Sequence, residues 1–426
     1  MKKEQILIIG SGGREHAIGK HVIDSRKNAE LFFMPGNGGT RSVGTNLAIK
    51  ADDVYGIVDW VKKNKPTLTL VGPEAPLALG LVDRLTKNGF LVFGPTKEAA
   101  RIETSKVFAK HFMKKYNIPT ARFETFSSFE LAKQFIYDAP FDVVVKASGL
   151  AGGKGVIVPE NKKEALSALD RIMNKHEFGS AGNEVVIEER MRGAEVSLMV
   201  FTDGVTVKPM ISAQDHKRIF DNDKGPNTGG MGAYGPIPFV SSAMVKQITK
   251  TILQPTIDGL KKEGKPFVGV LYAGLMLTSD GPKVVEFNCR FGDPETQVVL
   301  PLLRTDLIKI AQACVSKRLT RLRISWKKGF AASVVLASKG YPEKSETGQI
   351  IQGIEKAEKI TGVTICHAGT KNTEGHYMTS GGRVLAVTGV GSSLLVALKK
   401  AYAAVKKIRF SGMQYRTDIG IKGLKK

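Results

Sequence analysis

The chain has 426 residues, 42% of them hydrophobic, which is room for several packed cores and, at roughly 150 residues each, for about three domains. No apolar run approaches the roughly 18 residues a membrane helix requires, and the Met1-Lys2-Lys3 start does not lead into a signal-peptide core, so a cytoplasmic location without a membrane partner is expected. Cys289, Cys314 and Cys366 stand far apart with no C-x-x-C pair, which argues against disulfides and structural zinc; a net charge of +23 fits anionic small substrates, while basic runs such as "WVKKNKP" and "LKKAYAAVKKIR" read as solvated helix faces rather than a nucleic-acid site.

The first element signal is "ILIIGSGGREHAIG", residues 6–19: an aliphatic strand, a glycine turn and the start of a helix. Gly10 and Gly12 match the first two glycines of G-x-G-x-x-G, but Glu15 stands where the third belongs, and an acidic side chain there crowds the helix–strand contact, against an NAD or FAD site. The strands "ELFFMPG", "LTLVGPE" and "FLVFGP" follow with amphipathic stretches between them, the pattern of a parallel sheet with helical crossovers. Their terminal turns, "GSGG", "PGNGGT" and "GPEAPL", fall together at the carboxyl edge, where open α/β sheets bind ligands. One helix is expected over 97–116, ending before Pro119.

Residues from about 120 to 193 read as a small inserted module. Antiparallel strands then follow, "EVSLMVFTDGVTVKPM" and "YAGLMLTSDGPKVVEFN", each turning at a D-G dipeptide. Between them "ISAQDHKRIFDNDKGPNTGGMGAYGP" lacks periodicity and reads as a long functional loop. The remainder, from "FAASVVLASKGYP" to a closing helix, is strand-rich. The expected fold class is therefore a multidomain α/β protein: a parallel α/β domain over 1–103, a central antiparallel α+β domain over 104–325 carrying the module, and a strand-rich domain over 326–426.

Two stretches carry chemistry. In "VVVKASGLAGGKGVIV", residues 143–158, Lys146 ends a buried strand, and Gly149, Gly152, Gly153 and Gly155 with Lys154 form a loop suited to closing over phosphates. The order of a Walker A loop is absent, and a flexible hairpin with surface lysines is the competing reading. In "VVEFNCRFGDPETQ", residues 284–297, strand alternation puts Glu286, Asn288 and Arg290 on one face and Val285, Phe287 and Cys289 in the core. Glu286 and Asn288 suit Mg²⁺, which takes few protein ligands, and Arg290 beside them suits a transferring phosphoryl group; a surface pair of Glu286 with Arg290 is the alternative. The seven histidines show no metal-ligand spacing and read as mostly solvated or capping, with only His216 in the long loop a functional candidate.

In order and spacing, "GSGGREHA", "PGNGGT", "VGPEAPL", "GPNTGGMGAYGP", "EFNCRFGDPETQ" and "HAGT…GGRVLAVT" resemble the glycinamide ribonucleotide synthetases, or phosphoribosylamine-glycine ligases, over essentially the whole chain. The resemblance implies an ATP-grasp fold and the ligation of glycine to 5-phosphoribosylamine, with ATP and Mg²⁺ (or Mn²⁺), through a glycyl phosphate. It implies that Glu286 and Asn288 hold the metal, that Lys106 and Lys146 contact ATP phosphates, and that Gly149 to Gly155 is the lid. Glu188, Glu189 and Met191 would form the adenine hinge, with Glu195 on the ribose. Asp215, Lys217, Asn227 and Thr228, with Arg290 and Asp293, would surround glycine and the acyl phosphate. Gly12, Gly13, Glu15, Gly36, Asn37, Gly72, Pro73 and Glu74 would receive phosphoribosylamine, its phosphate at the first glycine turn. A monomer acting on small molecules alone is implied. Ser148 departs from the family's lid acid, and Arg190 from its apolar hinge residue.

Overall fold

The computed structural model describes residues 3–152 and 154–425. Gly153 of the expected lid lies outside the described residues. Near the N-terminus the strands Glu4–Gly10, Ala29–Pro35, Thr45–Asn46, Leu68–Val71 and Val92–Phe93 form one sheet with Glu4–Gly10 at its centre, and every pairing is parallel. The chain runs outward from the centre to Ala29–Pro35 and returns on the other side to Leu68–Val71. This reversal opens a crevice at the strand ends beside Gly10 and Gly72.

The inserted module is an antiparallel sheet ordered Phe123–Phe126, Val185–Glu189, Val143–Ala147, Val156–Ile157, and it has a core of its own in which Ile136, Val145, Leu169 and Ile187 are buried. The central sheet pairs Val207–Pro209, Ala194–Asp203, Val268–Thr278 and Gly281–Asn288 in that order. Both expected hairpins are present. Asp203 Oδ1 accepts the Val205 and Thr206 amides at 3.1 and 2.7 Å, so the side chain itself closes the first turn.

Three expectations need correction. The helix over 97–116 is two helices, Lys97–Thr104 and Lys106–Lys115, because Ser105 is extended and its hydroxyl caps the second by accepting the Phe108 amide at 3.1 Å. The long loop contains short strands: Gln214–Asp215 pairs with Gly232–Gly235, and the latter pairs with Phe330–Ala337 far along the chain. Val285 does not enter the core, because a β-bulge opposite Gly274 and Leu275 interrupts the alternation; Val284 is buried and Val285 borders the cavity described below.

The last sheet continues through Arg383–Gly391 to Val363–His367, and the helix Leu394–Val405 lies across it. Among the described residues no helix is long and apolar enough to cross a membrane. The helix Leu394–Val405 packs tightly on Gly389, where a Cβ would stand 2.3 Å from the Ala397 carbonyl oxygen and 2.7 Å from the Ala401 nitrogen. Backbone atoms cannot swing aside, so Gly389→Ala should cost about 2 kcal/mol of stability or more, measured as a lower urea midpoint at unchanged slope.

Candidate active site

Two adjoining cavities, of about 310 and 950 Å³, lie where the inserted module faces the central sheet, and both are bordered by Lys146, Asp215, Lys217, Asn227 and Val285. The smaller gathers Lys106, Lys146, Thr228, Glu286, Asn288, Arg290 and Asp293, together with Gly152 and Gly155 of the expected lid. The larger is bordered by Glu188, Glu189, Arg190, Met191 and Glu195, with Val144, Val158 and Leu277 as apolar wall. Most residues expected around nucleotide, metal and glycine thus border two cavities that share a wall. Gly149 anchors the lid root, donating its amide to the Ala181 carbonyl at 3.1 Å while its own carbonyl accepts Lys106 Nζ at 3.3 Å; Lys154 is exposed. At the Ser148 departure, the hydroxyl accepts the Val107 amide at 3.3 Å.

The electrostatics of the smaller cavity follow from crowding cations around one carboxylate. Burial alone would raise the Glu286 carboxyl; Lys217, then Lys146, Lys106 and Arg290 outweigh it and hold it down at about 2. Lys217 Nζ stands 3.4 Å from Glu286 Oε1 and 4.0 Å from Glu195 Oε2, and Glu286 in turn pushes the Lys217 ammonium upward. Burial and the nearby Glu295 raise the Asp215 carboxyl well above its ordinary range. Glu295 itself accepts the Ser197 and Tyr272 hydroxyls, each at 2.9 Å.

Arg290 does not pair with Glu286. Its Nε donates to Glu74 Oε2 at 3.2 Å, its terminal nitrogens stand 3.1 Å from Glu103 Oε1 and 3.2 Å from Asn288 Oδ1, and it also donates to the Phe291 carbonyl at 3.3 Å. Burial raises the Glu74 carboxyl, but Arg290 and Arg14 pull it down to about 2. The guanidinium is therefore turned toward the protein, holding the expected metal ligand Asn288 and the N-terminal residue Glu74 in one arrangement.

The first glycine turn differs most from expectation. Glu15, 1% exposed, folds back so that its Oε2 accepts the Gly12 amide at 2.6 Å, with Arg14 Nε 2.6 Å from its Oε1. A Cβ on Gly10 or Gly72 would lie 2.6 or 2.0 Å from this carboxyl group, so Glu15 fills the sheet's crevice. Asp293 accepts the Arg14 amide and binds Gln297 Nε2 at 2.7 Å. The Gly12 amide thus already holds the Glu15 carboxylate and the Arg14 amide that of Asp293, so the chain's own acids take part of the expected phosphate seat at Gly12 and Gly13. Gly36, Asn37, Gly72 and Pro73 border neither cavity; Asn37 Nδ2 ties the Ser11 and His367 carbonyls, each at 2.8 Å, and Pro73 caps the helix Glu74–Ala78.

The histidine expectation also fails in part. His16, His216 and His367 are buried, and His367 donates its amide to His16 Nδ1 at 2.8 Å, joining the first helix to the last sheet; His216 Nε2 accepts the Gly420 amide at 3.3 Å. Arg14, Glu103, Lys110, Tyr272, Glu295 and Arg383 also border the smaller cavity, and sequence reasoning passed over them. Arg14 and Arg383 lay inside quoted glycine motifs and could have been raised. Glu103 and Lys110 sit on ordinary amphipathic helices with no local signature.

Sequence models of the phosphoribosylglycinamide synthetase N domain, ATP-grasp (A) domain and C domain match residues 4–103, 104–296 and 331–422. A phosphoribosylamine–glycine ligase of Halalkalibacterium halodurans is 49% identical over 419 residues, covering 98% of this chain and 97% of that protein. The trifunctional purine biosynthetic protein adenosine-3 of Gallus gallus is also 49% identical, over 99% of this chain, but the chain spans only 42% of its length. The solved structure of a phosphoribosylamine–glycine ligase from Thermotoga maritima superposes with a TM-score of 0.85 at 36% identity, covering 97% of this chain and 99% of that one. The chain belongs to the phosphoribosylglycinamide synthetase family.

Proposed function

We propose that the protein ligates glycine to 5-phosphoribosylamine, converting ATP to ADP and phosphate and yielding glycinamide ribonucleotide. The observation that carries this reading is the gathering of Lys106, Lys146 and Lys217 around an ionised Glu286 and Asn288, in a chain of this family. The larger cavity takes the adenosine along Glu188 to Met191 with Glu195 on the ribose, and the phosphates extend toward Lys106 and Lys146 beneath the lid. Arg190, turned aside to Glu160 at 3.1 Å, supports an apolar hinge despite its charge.

Glu286 and Asn288 fit a divalent ion of the Mg²⁺ or Mn²⁺ kind. Glu286 is kept ionised, both offer hard oxygens to the cavity, and no cluster of three acidic, His or Cys ligands exists among the described residues, as suits a metal completed by phosphate oxygens and water. Such an ion would neutralise the phosphate oxygens during transfer. In this reading the glycine carboxylate attacks the γ-phosphorus among Asp215, Lys217, Asn227 and Thr228, and the amine of phosphoribosylamine captures the resulting glycyl phosphate. Lys146 neutralises the phosphoryl group, and Arg290 acts by fixing Asn288 and Glu74. Burial raises the Asp293 carboxyl, but Arg383 and Arg14 keep it low and ionised, which suits the amine end of the second substrate. Gly12, Gly13, Glu15, Gly36, Asn37, Gly72 and Pro73 shape the pocket behind it. Domain limits near residues 103 and 325, a monomeric state and a cytosolic setting complete the reading; the last accords with three buried, unpaired cysteines.

The direct test is ADP release that requires both glycine and freshly made phosphoribosylamine. Release with bicarbonate in place of glycine would contradict the assignment. Glu286→Gln should melt near the wild-type temperature yet lose about 100-fold in ADP release at fixed Mg²⁺, since one charge is lost where the phosphates gather. Trypsin should cut the free protein at exposed Lys154, and ATP with Mg²⁺ should slow that cut several-fold, seen by mass spectrometry of the fragments.

A further inference from the structure

Lys110 lies one helical turn beyond Lys106, where neither motif nor resemblance marked it. It is 2% exposed, and its ammonium stands 2.5 Å from Glu188 Oε2 and donates to the Thr120 hydroxyl at 2.7 Å. Glu188, also 2% exposed, has its other oxygen 2.5 Å from Lys146 Nζ, which further donates to the Val285 carbonyl at 3.1 Å. Two ammonium groups therefore share one buried carboxylate.

The balance of charge matters here. Glu188 alone would cancel Lys146, leaving a neutral pair at the strand end and little attraction for an anion. A second ammonium on the far side of the same carboxylate restores one net positive charge on the group. We propose that Lys110 is a positioning residue for the nucleotide: its charge offsets that of Glu188, so that Lys146 stays in place with a positive field uncancelled for ATP phosphates. The inference rests on the ATP reading above. Burial lowers the Lys110 ammonium to about 8 even against the pull of Glu188, so this cation is held in place at a cost, as a surface lysine is not.

The test is a pair of variants. Lys110→Met should raise the KM for ATP about tenfold or more, as loss of one nearby unit charge requires, and leave the KM for glycine unchanged. Lys110→Arg keeps a positive charge beside Glu188 and should hold the ATP KM within about threefold of wild type. A role in folding alone would raise the ATP and glycine KM together in Lys110→Met. Unchanged ATP KM in Lys110→Met, equal rises for ATP and glycine, or a Lys110→Arg value as high as that of Lys110→Met would each overturn the proposal. If Lys110→Met fails to fold, Lys110→Gln, which keeps a donor for Thr120 but no charge, takes its place: a rise of about tenfold in the ATP KM alone supports the proposal and an unchanged one refutes it. Wild-type protein that shows no ATP-dependent turnover would instead refute the nucleotide reading itself.

Discussion

The guanidinium of Arg290 is the contact on which the site's geometry depends. It reaches Glu74 from the parallel sheet's edge, Glu103 from the helix Lys97–Thr104 and Asn288 from the central sheet, so three segments distant in sequence are held by one planar cation. A planar fork with fixed donors sets angles as well as distances, which a lysine in the same place would not do. Glu103 adds a second tie by accepting the Cys289 amide at 2.7 Å, locking the strand that carries Glu286 and Asn288. Removing one partner would strand a buried charge, so the cluster stays whole.

Around this hub both signs of charge meet. Lys106, Lys146 and Lys217 face the smaller cavity, where the anionic nucleotide is expected, together with Asp215, Glu286 and Asp293. Glu15 and Asp293 also hold amides at the start of the first helix. At this helix start the chain's own acids already take the Gly12 and Arg14 amides.

Much of the fold was legible because its signals are local. Apolar runs ending in glycine located the parallel strands, and D-G pairs located both hairpins of the central sheet. The strand Gly232–Gly235 was not legible, since one of its partners lies near residue 334 and the other, Gln214–Asp215 within the loop, is too short to show a period. The bulge at Val285 was hidden for the same reason: it belongs to the register between two strands, not to either sequence. In the site, Glu286, Asn288 and Lys146 were read from strand-end motifs. Lys110 was not, because a lysine on an amphipathic helix looks like a solvated one until burial and its partner are seen.

The central claim is that nucleotide phosphates bind between the lid and the central sheet, away from the N-terminal glycine turn. A crystal structure with a non-hydrolysable ATP analogue and Mg²⁺ tests it most directly. The account predicts phosphate oxygens within hydrogen-bond reach of Lys106 and Lys146, the metal on Glu286 and Asn288, and Glu15 still holding the Gly12 amide. Phosphates seated on the Gly10 to Gly13 turn, with Glu15 displaced, would contradict it.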